Sequence, residues 1–267
     1  MSLGEFELIR RFFTQAGPRR ADVSLGIGDD AALVRVPEGT ELVVAVDTIV
    51  SGVHFPEATS PADIGYRALA VNLSDIAAMG ATPAWATLAL TLPTVDETWL
   101  AAFCEGFFGL AHRHDVMLIG GDTTSGPLSV TVQIMGHVPN GTALKRSGAR
   151  VGDLIFVSGH IGDAAAGLAL VRNRTKAASE SSGERLRERF FRPEPRVALG
   201  QALRSVASAA IDISDGVGAD LTHILEASNV GARLDLDRLP ISKELGATFG
   251  AEQAQELALA GGDDYEL

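Results

Sequence analysis

The chain has 267 residues, 46% hydrophobic and 21% charged, enough for one large core or two ordinary ones, which excludes a fibrous or disordered chain. Acids outnumber bases 34 to 22, and the net charge of −12 repels nucleic acid, and repels ATP too unless cations intervene. A lone cysteine, Cys104, excludes an internal disulfide framework, and no apolar run reaches the ~20 residues of a membrane span.

The start, Met1 to Gly17, carries Glu5, Glu7, Arg10 and Arg11 and lacks the apolar core of a signal peptide, so a cytoplasmic protein is expected. Phe6, Ile9, Arg10 and Phe13 share one helical face, and Gly17-Pro18 ends that helix. Residues 25–36 read as a Gly-rich loop entering a strand, and 42–46 as a β-branched strand ending at Asp47. Ser60 as N-cap and Pro61 in the first turn open a long helix that passes Asp75 and stops at Gly80. Strands follow at 83–92, 116–119 and 129–138, with a helix at 96–114 whose apolar face includes Leu100, Phe103, Phe107 and Leu110. Cys104 lies on its apolar side as core packing.

The turn cluster Pro139-Asn140-Gly141 marks the expected boundary between an N-terminal domain, 1–140, and a C-terminal domain, 141–267. The second half reads as strands 154–157, 210–213 and 233–236 with helices 163–171, 184–191, 196–207 and 217–227. The polar stretch 173–183 is expected to be a mobile loop. Residues 260–267 read as a loop entering a strand that nothing caps, so the natural chain is expected to continue and the C-terminal domain to be incomplete. The fold class is α/β, with α and β mixed in two domains.

The chemistry lies in where the aspartates fall. Asp29, Asp30, Asp47, Asp122, Asp212 and Asp215 sit in Gly-rich turns or just after apolar strands. Clustered carboxylates raise one another's pKa, and Mg²⁺ removes that cost because it takes hard oxygen ligands and bridges carboxylates to phosphates. In Gly26-Ile27-Gly28-Asp29-Asp30, alternation sends the two acids to opposite sides, so only one faces a site; alone, a turn with solvated acids explains the segment better. Asn72 and Asp75 share a helix face among apolar neighbours, where the carboxylate needs either a metal or an arginine such as Arg67. Gly120-Gly121-Asp122 follows a strand and could cradle phosphate. In Asp212-Ile213-Ser214-Asp215-Gly216, Asp212 and Ser214 share one face; the helix start favours an anion, although Asp215 as a simple cap explains it too. Arg146 suits phosphate but is equally an exposed basic residue, and His54 is a lone histidine.

Taken in order, GEFELI, GIGDDAA, the Asp47 to His54 segment, NLSDIAAMGA from Asn72, GGDTT, KRSGARVGD from Lys145, GDAAAGLAL from Gly162, DISDG from Asp212 and GGDDYEL resemble the thiamine-monophosphate kinase family along the whole chain. The resemblance implies a two-domain fold like aminoimidazole ribonucleotide synthetase, with the N-terminal domain paired with its copy in a homodimer. It also implies transfer of a phosphoryl group from ATP to thiamine monophosphate. By position it implies that Asp30, Asp47, Asp75, Asp122, Asp212 and Asp215 hold several Mg²⁺ ions. Gly121, Asp122, Arg146 and Ser214 then contact ATP, and His54 and Asp263 contact the substrate. Asp30, Asp75 and Asp122 form the expected catalytic set. The chain departs from the family at Ala45 and Val46, where hydroxyl residues are common, and at Asp263, where Glu is usual.

The acceptor is already an ionised phosphate, so direct in-line transfer needs positioning and charge neutralisation rather than a strong base. The alternatives are another ATP-using superfamily member, like selenophosphate synthetase or a hydrogenase-maturation factor, or a non-catalytic Mg-ATP binder.

Overall fold

The computed structural model describes residues 5–14 and 16–267, and side chains from Glu7 onward apart from Gln15. Gly4 of the first motif and the Phe6 side chain of the expected first helical face lie outside the described residues. The chain divides into two compact units. One runs to Ile76 and resumes over Ala81–Gly141; the other is Ala77–Gly80 with Thr142–Leu267.

The first unit is built on a four-stranded sheet. In chain order its elements are α1 (Glu5–Phe12), a small hairpin of β1 (Val23–Leu25) and β2 (Leu33–Val34), β3 (Thr40–Val50), α2 (Pro61–Ala78), β4 (Thr82–Leu92), α3 (Glu97–Arg113), β5 (Met117–Ser125) and β6 (Ser129–Pro139). The sheet order is β3-β6-β4-β5, with only β4 and β5 parallel. Strand β6 shows why the alternating pattern is legible: Val130, Val132, Ile134 and Val138 are buried while its odd-numbered residues are not.

Helix α2 starts where the sequence places it, with the Ser60 hydroxyl accepting the Asp63 N–H at 3.2 Å. Asp96 caps α3 by accepting from the N–H groups of Thr98 and Trp99. The two helices pass so closely that a Cβ on Gly106 would lie 1.8 Å from the Ala62 carbonyl oxygen. The hairpin rests on the Ala84, Trp85 and Ile119 cluster through Val23, Ala32 and Val34, which anchors the Asp29-Asp30 loop between β1 and β2.

The second unit contains α4 (Asp163–Val171), α5 (Glu180–Phe191), α6 (Val197–Leu203), α7 (Val217–Ser228), a 3-10 turn (Leu236–Arg238), α8 (Lys243–Phe249) and α9 (Ala251–Ala260). Among the described residues it has no strand, contrary to the sequence expectation for 154–157, 210–213 and 233–236. A strand needs a continuous ladder partner. Segments 158 and 213–214 instead make only scattered backbone bonds to 263–267, and Leu154 and Phe156 are exposed. Helix α5 also begins inside the stretch expected to be a loop, because the Ser179 hydroxyl accepts the Ser182 N–H and starts the helix at Glu180.

Candidate functional site

In the first unit, Asn72 is the pin of the site. It is fully buried in α2, its Nδ2 donates to the Ala68 carbonyl at 3.0 Å, and its Oδ1 accepts the Asp47 N–H at 3.1 Å. An edge strand offers such unpaired N–H groups, and here a side chain takes one. One helical turn along α2 from Asn72, the Asp75 carboxyl is hydrogen-bonded to the Asp47 carboxyl. Burial pushes the Asp47 carboxyl above the usual carboxylate range, and its bond with Asp75 and the proximity of His54 only partly offset this. His54 is exposed, and its Nδ1 accepts the Val50 N–H at 3.1 Å, so the neutral ring carries its proton on Nε2.

The other candidates of this unit stand apart from that pair. Asp29 closes its own turn by accepting the Asp30 N–H at 2.8 Å, and both acids are exposed. Gly120, Gly121 and Asp122 lie inside β5 rather than in a turn after it. Gly121 has φ +155°, and a Cβ there would lie 1.9 Å from the Leu88 carbonyl oxygen, so the strands approach too closely for any side chain. The register sets Asp122 beside Ala89, in line with Thr131 and Thr48, whereas Asp47 lies opposite Val132 on the other face of the sheet.

In the second unit, two loops are joined by backbone bonds. Asp263 N–H donates to the Ser214 carbonyl, Tyr265 N–H to the Ile213 carbonyl, and Ile213 N–H to the Glu266 carbonyl, each at 2.8 Å. Ser214 is half-buried, Asp215 exposed and Asp212 buried. Asp263 and Tyr265 both adopt positive φ, 74° and 51°, and the alternate residues Asp264 and Glu266 turn inward and are almost wholly buried.

Asp264 accepts from the N–H groups of Gly162 at 2.5 Å and Ala164 at 3.0 Å. It thereby supplies the cap that Gly162 itself cannot give α4. Burial pushes its carboxyl up to about 7, against the pull of those N–H groups and Arg189. Burial acts on Glu266 too, but Arg196, the Ser158 hydroxyl and Arg189 outweigh it and hold that carboxyl below its usual range. Arg146 is exposed, in a loop whose backbone is held by Ser228.

Sequence reasoning singled out neither Asp264 and Glu266 nor Asp220 and Ser228. The first two carried a weak signal, alternating acids in an extended segment with arginines available elsewhere. The last two carried none, being an ordinary acid within a helix and an ordinary serine at its end.

The donors fit a magnesium ion better than a transition metal. They are hard carboxylate oxygens, and two of them, on Asp47 and Asp75, are already face to face. Among the described residues no three His, Cys, Asp or Glu side chains form a closed cage, and Mg²⁺ is ordinarily held by one or two carboxylates together with substrate phosphates.

The AIR synthase related protein N-terminal domain matches residues 28–138, and the AIR synthase related protein C-terminal domain matches 150–261. The thiamine-monophosphate kinase of Escherichia coli (strain K12) is 55% identical over 267 residues, spanning 100% of this chain and 82% of that protein. The crystal structure of thiamine-monophosphate kinase from Stenotrophomonas maltophilia K279a superposes with a TM-score of 0.91 at 54% identity, over 100% of this chain and 85% of that one. The structure of AaThiL complexed with AMPPCP and TMP gives 0.81 at 32% identity, with the same two coverages. Identity this high along the full chain, on a mixed α/β two-domain fold of the AIR synthase type, makes the chain a member of the thiamine-monophosphate kinase family.

Proposed function

We propose that the chain transfers the γ-phosphoryl group of ATP to thiamine monophosphate, releasing ADP and thiamine diphosphate. The observation that carries this reading is the 55% identity to a thiamine-monophosphate kinase over all 267 residues. The complex of AaThiL with AMPPCP and TMP supports the same pair of substrates. An oxygen of the acceptor phosphate forms the new bond to the γ-phosphorus as the bond to the β-bridging oxygen breaks in line. That oxygen is already ionised near neutral pH, so no residue need remove a proton. Asp30, Asp47, Asp75, Asp122, Asp212 and Asp215 are the residues that would hold Mg²⁺, with Asp30, Asp75 and Asp122 as the catalytic set. Bound there, the ions would neutralise charge on the phosphate oxygens.

Gly121, Asp122, Arg146 and Ser214 are assigned to ATP, and His54 and Asp263 to thiamine monophosphate. Domain 1–140 is assigned the metal and ATP site and the dimer contact. Leu42, Val44 and Val46 line one face of β3 and are about half exposed or more in the single chain, which supports pairing with a second copy. Among the described residues no helix is long and apolar enough to cross a membrane. The buried free thiol of Cys104 agrees with a cytoplasmic setting.

The test is ADP release from Mg-ATP with and without thiamine monophosphate, with thiamine diphosphate measured alongside. ADP and thiamine diphosphate formed in equal amounts, only when the acceptor is present, support the proposal. ADP without thiamine diphosphate points to another superfamily reaction, and ATP binding without ADP to a nucleotide sensor.

A further inference from the structure

Helix α7 carries two side chains that hold backbone outside the helix. Asp220, only 3% exposed, accepts the N–H groups of Ser214 and Asp215 on a single oxygen, Oδ2, at 3.0 Å each. The helix's own cap residue, Gly216, provides no capping side chain. Two consecutive N–H groups therefore converge on one oxygen of an internal carboxylate. They make the kind of concave N–H cluster that elsewhere binds phosphate, and here the chain's own acid fills it.

At the last residue of the same helix, the Ser228 hydroxyl accepts the N–H groups of Gly148 and Ala149 and donates to the Arg146 carbonyl, each at 3.1 Å. A hydroxyl has one proton and two lone pairs, so Ser228 is fully engaged by this one loop. One rigid helix thus grips the Ser214-Asp215 turn near its start and the Arg146 loop at its end.

We propose that Asp220 and Ser228 are positioning residues for nucleotide binding, with α7 as the spacer that fixes the Ser214-Asp215 turn relative to the Arg146 loop. This rests on the assignment of Ser214, Asp215 and Arg146 to Mg-ATP made above. The N–H groups of the turn are spent on Asp220. The turn therefore meets the nucleotide through the Ser214 hydroxyl and the Asp215 carboxylate, not through helix-terminal amides. Neither Asp220 nor Ser228 touches the ligand.

The chemistry of each grip defines a rescue. Both N–H bonds to Asp220 end on one oxygen, so Asp220→Asn keeps an acceptor for them and Asp220→Ala does not. Ser228→Thr keeps the hydroxyl and Ser228→Ala removes it. The experiment measures the dissociation constant for AMPPCP with Mg²⁺, the KM values for ATP and thiamine monophosphate, and the melting temperature of the ligand-free chain.

The alanine variants should weaken AMPPCP binding and raise the KM for ATP about tenfold, as loss of outer support does at other ligand sites, while the KM for thiamine monophosphate stays level. The asparagine and threonine variants should recover most of that loss. The inference is overturned if the alanine variants bind AMPPCP as the wild type does. It is also overturned if the rescuing variants fail alongside them, or if both KM values rise in step with a fall in melting temperature. A wild-type chain that binds no AMPPCP overturns the functional reading itself, whereas normal binding by wild type and all four variants overturns only the role given to α7.

Discussion

The carboxyl groups of Asp47 and Asp75 share a hydrogen bond across the gap between β3 and α2. Asn72 makes this possible, since it bonds the Asp47 backbone from one turn earlier in the helix that carries Asp75. Two carboxylates held this closely repel each other unless a proton or a cation lies between them. The arrangement is costly in the empty protein and useful in the loaded one. Asp75→Asn should therefore leave the melting temperature of the metal-free protein unchanged or slightly higher. Mg-dependent turnover should fall by ~10²-fold or more, as it does when a transition-state charge contact is lost. Parallel thermal melts and coupled ADP assays check this; a variant that both melts lower and keeps its turnover contradicts the pair's role.

The exposed face of β3 gives the second prediction. Leu42, Val44 and Val46 alternate along the strand, and the same face of β6 presents His137, Met135 and Gln133 opposite them. If this face pairs with a second copy, Val44→Lys places a charge in a dry interface. Sedimentation should then show a monomer where the wild type is a dimer. A wild-type chain that sediments as a monomer, or a dimer undisturbed by the lysine, removes this face from the account.

How much of this was legible in the sequence varied with the range of the interactions. The capping signal at Ser60 and the alternation of β6 are local, and the elements they mark formed as read. Residues 154–157 are as apolar as a strand, but strand formation depends on a partner elsewhere in the chain, which propensity does not report. The Asp47–Asp75 pair was partly legible, because the Asn72-to-Asp75 spacing places two polar groups on one face of an apolar helix. Asp220 and Ser228 were not, and Asp264 only weakly, since each acts on backbone that only the fold brings to it: Ser228 on residues 146–149, Asp264 on 162 and 164. The sequence places Gly121 in a turn after a strand, whereas it lies within β5, where an added Cβ would meet the Leu88 carbonyl of the neighbouring parallel strand β4.

Two glycines of α3 give a matched pair. Gly106 faces α2 with no room for a methyl group, whereas Gly109, a turn along, is exposed with nothing within 4 Å of an added Cβ. Gly106→Ala must spread the two helices, and overpacking of this kind costs about 1–3 kcal/mol. Gly109→Ala should stabilise by roughly 0.5–1 kcal/mol, because alanine loses less backbone entropy in a helix. Chemical denaturation of the two variants should shift the midpoint in opposite directions. Equal shifts would mean that α2 and α3 do not cross as described.

Asp264 and Glu266 give the last prediction, because they are two residues apart and titrate in opposite senses. The folded-state value of Asp264 is raised from 3.8 to about 7, so between those values the native protein binds a proton that the unfolded chain releases. Its contribution to stability is therefore fully present below about pH 4 and is lost as the pH rises through 7. Glu266 is lowered, so its contribution is present above its unfolded value and lost as the pH falls through its folded one. Asp264→Asn cannot ionise, and its single amide oxygen can replace only one of the two carboxylate oxygens that hold Gly162 and Ala164. The variant should thus be less stable than the wild type at pH 5, and the gap should narrow steadily toward pH 8. Glu266→Gln should show the reverse trend, with its largest deficit at neutral pH, where it leaves Arg189 and Arg196 without their charge partner. Melting curves of the three proteins from pH 4 to 8 decide the matter; parallel curves for wild type and Asp264→Asn would show that Asp264 does not exchange its proton in this range.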